Sequence, residues 1–253
     1  MSWKNIAITH HDGVSVLALQ RNVTNALNLT LVRELSLVLD ETARDDAVCG
    51  IVLTSANDKF LSIGFDIPEL YPLKPDEFRV FYQEFNRLCI TLFSYPKPVI
   101  AAITGHAVAG GCILVLCCDY RYIAEGNKKM GLNEIKLGVP IPYPADCMLR
   151  ELVGFRTYRD VVDTGDFFLP EQLIAMGLVD RVFSPDTVRV RAREGILALG
   201  EHAVRAFPEI KQNRVEPVIS NIRSSLRSKE DPFLRCWYAE PTRQKLQQAL
   251  AKF

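Results

Sequence analysis

Hydrophobic residues near the start of the chain alternate with polar ones: Ile6 and Ile8, then Val14, Val16 and Leu19, on either side of "HHDG". Alternation broken by an Asp-Gly pair predicts a β-hairpin. The period changes in "NLTLVRELSLVLDETARDD". There Leu31, Leu35, Val38 and Leu39 share one helical face, and Asn28 or Thr30 can cap the first turn. "CGIVLTSA" predicts a short buried strand, and "DEFRVFYQEFNRLCITLFSY" a second amphipathic helix bounded by Pro75 and Pro96. "KPVIAAITG" predicts another buried strand, leading straight into the glycine pair Gly110 and Gly111.

An apolar helix follows the glycines. Short strands are predicted in "RYIAE" and "KMGL", a helix near Ala145 to Leu152, and a strand in "GLVDRVF". From about Asp186 the pattern is helical only, with charged faces and interruptions at Pro208, Pro217 and Pro232. The expected architecture is an α/β body over 1–195 and a helical C-terminal region over 196–253, with no linker long enough to separate independent domains.

Composition narrows the function. Thirty basic and thirty acidic residues cancel, so no global field favours nucleic acid or an anionic membrane. The longest apolar run, Val108 to Cys118, is well short of the ~20 residues a membrane helix needs, so no membrane insertion is expected. Seven cysteines are an odd number, and Cys112, Cys117 and Cys118 sit inside that run as small hydrophobes. That usage fits a reducing compartment. The start of the sequence has neither a secretory core nor a transit pattern, which points to the cytoplasm, with an organelle matrix as the other option.

Several familiar motifs fail on chemistry. "GHAVAGG" has phosphate-loop spacing, but Cys112 and Ile113 stand where Lys and Ser/Thr would grip phosphate and magnesium. No GxGxxG follows a strand. Ser62 in "FLSIGF" lacks the first glycine of a nucleophile elbow, and no metal-binding CxxC or HExxH occurs. None of the four histidines, His10, His11, His106 and His202, has a nucleophile beside it in sequence. Gly110 and Gly111 themselves admit two roles. They can bring bare N–H groups close to a developing oxyanion, or they can let the central helix pack tightly.

"AAITGHAVAGGCILVLCCDYRYIAE" resembles the signature of the crotonase family, also called the enoyl-CoA hydratase/isomerase family. "TNALN" and "FLSIGFDI" upstream, and "GLNEIKLGVP", "DTGDFFLPEQLIAMGLVDRVF" and "AFPEIKQ" downstream, continue the resemblance in order over nearly the whole chain. It implies a spiral of ββα turns with a helical C-terminal region that builds trimers or hexamers. It also implies an acyl-CoA substrate, with coenzyme A as part of that substrate and neither a cofactor nor a metal. The thioester oxygen would lie between the backbone N–H groups matched by Ile63 and Gly110. Ser62, Gly64, Asp66 and Gly111 would surround it, and Lys59 and Arg21 are the candidate cations for the CoA phosphates. Lys245 and Lys252, in the basic C-terminus, could reach a neighbouring subunit's ligand.

The hydratases of that family use two glutamates to place water. The position of the first is Ile113 here, and the second matches Glu134. An aliphatic side chain cannot orient water, whereas moving a double bond needs one base that becomes one acid. The resemblance therefore leans toward the Δ3,Δ2-enoyl-CoA isomerases, in which Glu134 would carry the proton. An apolar Ile113 would help exclude water, and burial would raise the pKa of Glu134. Other single-acid reactions on CoA or carrier-protein thioesters stay open, including decarboxylation and C–C bond formation, as does a non-catalytic acyl-CoA-binding homologue. Asp146 and Tyr143 are candidates for a second polar group.

Overall fold

Strands β1 (Ile6–His11) and β2 (Val14–Leu19) pair antiparallel across Asp12 and Gly13, whose φ values of 51° and 82° suit a two-residue hairpin turn. Helix α1 (Leu29–Arg44) is capped by Asn28, whose side chain accepts from the Leu31 N–H at 2.9 Å. The computed structural model describes residues 3–201 and 206–250, so His202 and Lys252 lie outside the described residues.

Three times in succession, a long strand is followed by a short strand and then by helix. The first turn is β3 (Gly50–Ser55), β4 (Phe60–Ser62), α2 (Ile67–Leu70) and α3 (Pro75–Phe93). The second is β5 (Val99–Ile103), β6 (His106–Val108) and α4 (Gly110–Leu116). The third is β7 (Tyr120–Ala124), β8 (Met130–Gly131), α5 (Glu134–Leu137) and α6 (Tyr143–Val162). Helix α7 (Pro170–Ala175) and strand β9 (Arg181–Phe183) follow, and then α8 (Val188–Glu201), α9 (Ala206–Tyr238) and α10 (Glu240–Leu250).

The long strands form one sheet in the order β1-β2-β3-β5-β7-β9, parallel from β2 onward. The short ones form a second, parallel sheet, β4-β6-β8. Each turn therefore advances both sheets by one strand, which is the ββα spiral. Strands β3 and β5 are buried throughout, which accounts for their unbroken apolar sequences. The expected direct run from β5 into the glycine pair is corrected by β6, which intervenes. At three residues, β6 is too short to show a period of two.

Two further expectations change at the C-terminal end. A boundary at 195/196 falls inside α8, where Ile196 is fully buried in a cluster with Val52, Ile100 and Tyr122. The prolines do not interrupt α9. Pro208 lies in its first turn, where no donor is needed, and the helix runs on through Pro217 and Pro232. Each interior proline costs about 3 kcal/mol of helix stability. Burial of Val218, Ile219 and Ile222 beside one, and of Phe233, Leu234 and Trp237 beside the other, offsets that cost.

Helix α9 is fastened to the core at both ends. Asp119, after α4, accepts from buried Lys211 at 2.7 Å, from Arg214 at 2.5 Å and from the Val99 N–H at 2.9 Å. At the other end Trp237 stacks on Phe78 of α3 with centroids 4.3 Å apart, and Phe233 stacks on Tyr82 at 4.1 Å. Among the described residues no helix is long and apolar enough to cross a membrane.

Candidate active site

A cavity of about 340 Å³ opens where the second sheet ends. The loop after β4 contributes Ile63 and Phe65, and the turn into α4 contributes Val108, Ala109 and Gly110. Asn133, Glu134 and Leu137 enter from α5 and its cap. Phe233 and Trp237 of α9 and Ala249 of α10 close the cavity, so this chain's own C-terminal helices cover its own site.

The close approach of two loops explains the glycines. Gly64 has φ +95°, and a Cβ there would lie 2.9 Å from the Ala109 Cβ and 3.0 Å from the Gly110 nitrogen. A Cβ on Gly111 would lie 2.3 Å from the carbonyl oxygen of Ser62. Ala109 pivots the turn at φ 48° and ψ −120°, a strained conformation for a residue with a Cβ, which costs about 1–3 kcal/mol. Its N–H donates to the Gly131 carbonyl at 2.9 Å, and its own carbonyl accepts from the Ile113 N–H at 2.9 Å, so the strain is held from both sides.

The donors facing the cavity differ from the pair matched in the sequence. The Ile63 N–H donates to the Thr24 carbonyl at 2.9 Å and has no hydrogen left to offer. Two residues on, the Phe65 N–H has no acceptor among the described residues, and neither has that of Gly110. The loop donor is thus corrected from Ile63 to Phe65. The Phe65 ring packs edge-on against Phe81 and Phe85, each with centroids 4.9 Å away, which fixes the backbone that carries the N–H.

Among the described residues, Glu134 is the only ionisable side chain that lines this cavity. It is buried, its Oε2 has no hydrogen-bond partner among the described residues, and desolvation raises its pKa from 4.5 to about 7. Asn133, beside it, stands at the N-cap of α5 without capping, and its Oδ1 is likewise buried and unpartnered. Ile113 is wholly buried in the main core and does not line the cavity.

The remaining sequence candidates separate into shaping and open groups. Ser62 is buried, donates to the Asn25 carbonyl at 2.7 Å and accepts from the Gly64 N–H at 3.1 Å, so its hydroxyl shapes the loop and does not reach a ligand. Asp66 caps α2 and pairs with Arg21 at 2.6 Å; Arg21 also holds Glu69 and the Ala26 carbonyl. Those contacts occupy Arg21, which corrects its assignment as a phosphate cation. Lys59 stays exposed, its Nζ 5.9 Å from the centroid of Phe60 at the cavity rim. Tyr143 and Asp146 line a neighbouring cavity. There Asp146 accepts from Tyr158 and Arg150. Among the described residues, no group of three or more His, Cys, Asp or Glu is placed to hold a metal.

Phe65, Asn133 and the C-terminal aromatic residues were not singled out in the sequence. Only the i, i+4 spacing of Phe233 and Trp237 hinted at the C-terminal pair.

Residues 9–240 match the family model described as enoyl-CoA hydratase/isomerase. The chain belongs to that family. It is 32% identical over 195 residues to "Enoyl-CoA delta isomerase 1, mitochondrial" of Mus musculus, over 76% of this chain and 68% of that one. The matches to the rat and human proteins of the same name cover 63% and 65% of their lengths, so this chain spans about two thirds of these mammalian relatives. It is also 29% identical to the short-chain-enoyl-CoA hydratase of Clostridium acetobutylicum, over 95% of this chain and 92% of that one. Human mitochondrial Δ3,Δ2-enoyl-CoA isomerase superimposes with a TM-score of 0.94 over 98% of both chains at 24% identity, a likeness of fold. An enoyl-CoA hydratase of Mycobacterium ulcerans gives 0.84 at 27% identity, over 91% of this chain and all of that one. The crotonase spiral read from the strand order is therefore the family's fold, while relatives named for two different reactions leave the chemistry to the site.

Proposed function

We propose that the chain is an acyl-CoA isomerase that moves a double bond between C3 and C2. The observation that carries this reading is Glu134 as the sole ionisable group, among the described residues, lining a mainly apolar cavity, with one oxygen unpartnered. Its carboxylate takes a proton from C2 of a 3-enoyl-CoA. The electron pair delocalises onto the thioester oxygen, which the Phe65 and Gly110 N–H groups receive. The same proton, now on Glu134, is delivered to C4, and the double bond is left between C2 and C3. One such donor is worth roughly 3–4 kcal/mol in a water-poor site. Addition of water would need a second polar group to hold the nucleophile, and the apolar lining offers none that ionises.

Lys59 at the rim supplies a cation for the CoA phosphates, which makes binding salt-sensitive. Incubation with 3-enoyl-CoA deuterated at C2 should yield 2-enoyl-CoA carrying deuterium at C4, and 2-enoyl-CoA alone should resist hydration. Rapid hydration without migration rejects the reading. Binding without turnover or exchange at any chain length supports a non-catalytic homologue instead.

The helical C-terminal region then has two roles, covering its own site and joining copies of the chain into a homotrimer or hexamer. Support for assembly comes from large apolar side chains left exposed, among them Phe155 at 69% and Ile210 at 61%. Sedimentation velocity at micromolar concentration should show a trimer or hexamer, and a monomer would reject this. Seven free cysteines suit a reducing compartment, cytoplasm or organelle matrix.

A further inference from the structure

Two of the elements that carry the site are single turns of helix. Helix α2 follows the Phe65 donor, α5 begins with Glu134, and each has four residues. A turn that short has too few internal hydrogen bonds to hold its own position, so packing must hold it. Arg21 does this for the start of α2, through Asp66 and Glu69. The far ends of both turns are held from α10, by two residues that are neighbours in the chain.

Arg243 donates from Nη2 to the carbonyl of Tyr71, the C-cap of α2, at 2.8 Å. Its guanidinium lies over the Tyr71 ring, with Cζ 3.5 Å from the centroid, and 5.5 Å from that of Tyr238. Tyr238 in turn donates to the Leu73 carbonyl at 2.8 Å. On the other side the buried hydroxyl of Thr242 donates to the carbonyl of Gly138, the C-cap of α5, at 3.1 Å. Gly138 has φ +89°, and a Cβ there would lie 2.7 Å from that hydroxyl, so only glycine admits this approach of α10. Among the described residues the buried Nη1 of Arg243 has no partner. An unpaired buried donor costs stability, so the arginine adds little to it, and methionine can fill the same place against the two rings.

We infer that Thr242 and Arg243 are positioning residues: together they bracket the site and fix the distance between the oxyanion donors and Glu134. This rests on the isomerase reading of the site, and it gives α10 a part in the chemistry beyond covering the cavity. The transition state needs the thioester oxygen at the donors and C2 at the carboxylate at the same moment. A displacement of about 1 Å between them costs on the order of 10²-fold in rate, even when the change that causes it is remote. Binding of a saturated thioester feels the displacement far less, because no charge has yet developed on its oxygen. Release at either end is enough to free the two turns from one another.

The test compares Arg243→Met, Thr242→Ala and the double variant. Each single variant should lower kcat for 3-enoyl-CoA about tenfold or more, while hexanoyl-CoA affinity by calorimetry stays within about threefold and the urea midpoint stays close to that of the wild type. Because one bracket is broken twice, the double variant should lose little more than the worse single one, whereas independent structural effects would multiply. Thr242→Ser keeps the hydroxyl and should keep the wild-type rate. Amide hydrogen exchange read by mass spectrometry should quicken over 67–71 in Arg243→Met and over 134–138 in Thr242→Ala, and this readout needs no turnover. Wild-type kcat in both single variants, or losses that multiply in the double variant, overturns the inference. A wild-type chain that does not isomerise would instead remove the isomerase reading. In that case quickened exchange in the two segments keeps the bracket, and unchanged exchange overturns it as well.

Discussion

Glu134→Gln is expected to lower kcat for double-bond migration by roughly 10³-fold or more, near the upper end for a general acid–base group, because one carboxyl serves both proton transfers. The amide keeps the shape of the side chain and has no useful basicity. Deuterium exchange at C2 of a bound thioester should disappear with turnover, while the circular dichroism spectrum and acyl-CoA binding persist. Full activity in this variant would remove Glu134 from the mechanism.

Burial gives the same substitution a second, opposite signature in stability. The carboxyl has an ordinary pKa of 4.5, raised to about 7 in the fold. Between those values the folded chain binds more protons than the unfolded chain, so this group's contribution is greatest below about pH 4.5 and is lost as the pH rises to about 7. Glutamine has nothing to ionise. From about pH 5 to about pH 8 the variant should therefore gain roughly 2–3 kcal/mol relative to the wild type, read by urea denaturation at the two pH values. The wild-type kcat/KM should rise over the same interval, because catalysis starts from the carboxylate. A stability difference independent of pH would mean that Glu134 is solvated.

How much of this was legible in the sequence depended on how local each signal was. The Asp-Gly hairpin, the Asn28 cap and the apolar faces of α1 and α3 are set within a few residues, and they stand where the pattern placed them. The second sheet is made of strands of two or three residues, which carry no readable period. Its consequence for chemistry was also hidden. Whether Ile63 or Phe65 has a free N–H depends on which of them meets the Thr24 carbonyl, a contact made across nearly forty positions of chain. Likewise the prolines of α9 read as breaks, because their sequence neighbourhood does not show the aromatic packing of Phe233 and Trp237 against α3. Glu134 was legible through its motif, and its isolation in an apolar cavity needed the fold.

The two glycines that open α4 should separate cleanly when each is given a methyl group. In Gly111→Ala the new Cβ falls 2.3 Å from the Ser62 carbonyl oxygen and 2.8 Å from the Ser62 Cβ. Ser62 is buried and tied to Asn25 and Gly64, so neither side can yield without moving the β4 loop. A loss of roughly 3 kcal/mol is expected, the upper part of the range for overpacking, read as a lower urea midpoint at unchanged slope. In Gly110→Ala the contacts are softer: the Leu27 Cδ1 at 3.0 Å, the Phe65 Cδ1 at 3.2 Å and the Gly64 Cα at 3.3 Å. Those groups can give by a few tenths of an ångström, for a stability cost of about 1 kcal/mol. The atoms displaced, however, belong to the loop that carries the Phe65 N–H, and the alanine methyl stands beside the other donor. Two donors aimed at one developing oxyanion lose most of their effect when their spacing shifts, so kcat should fall on the order of 10²-fold, with much less change in the affinity for a saturated acyl-CoA. If Gly110→Ala instead loses as much stability as Gly111→Ala and its folded fraction turns over at the wild-type rate, the first glycine serves packing alone and the oxyanion must be held elsewhere.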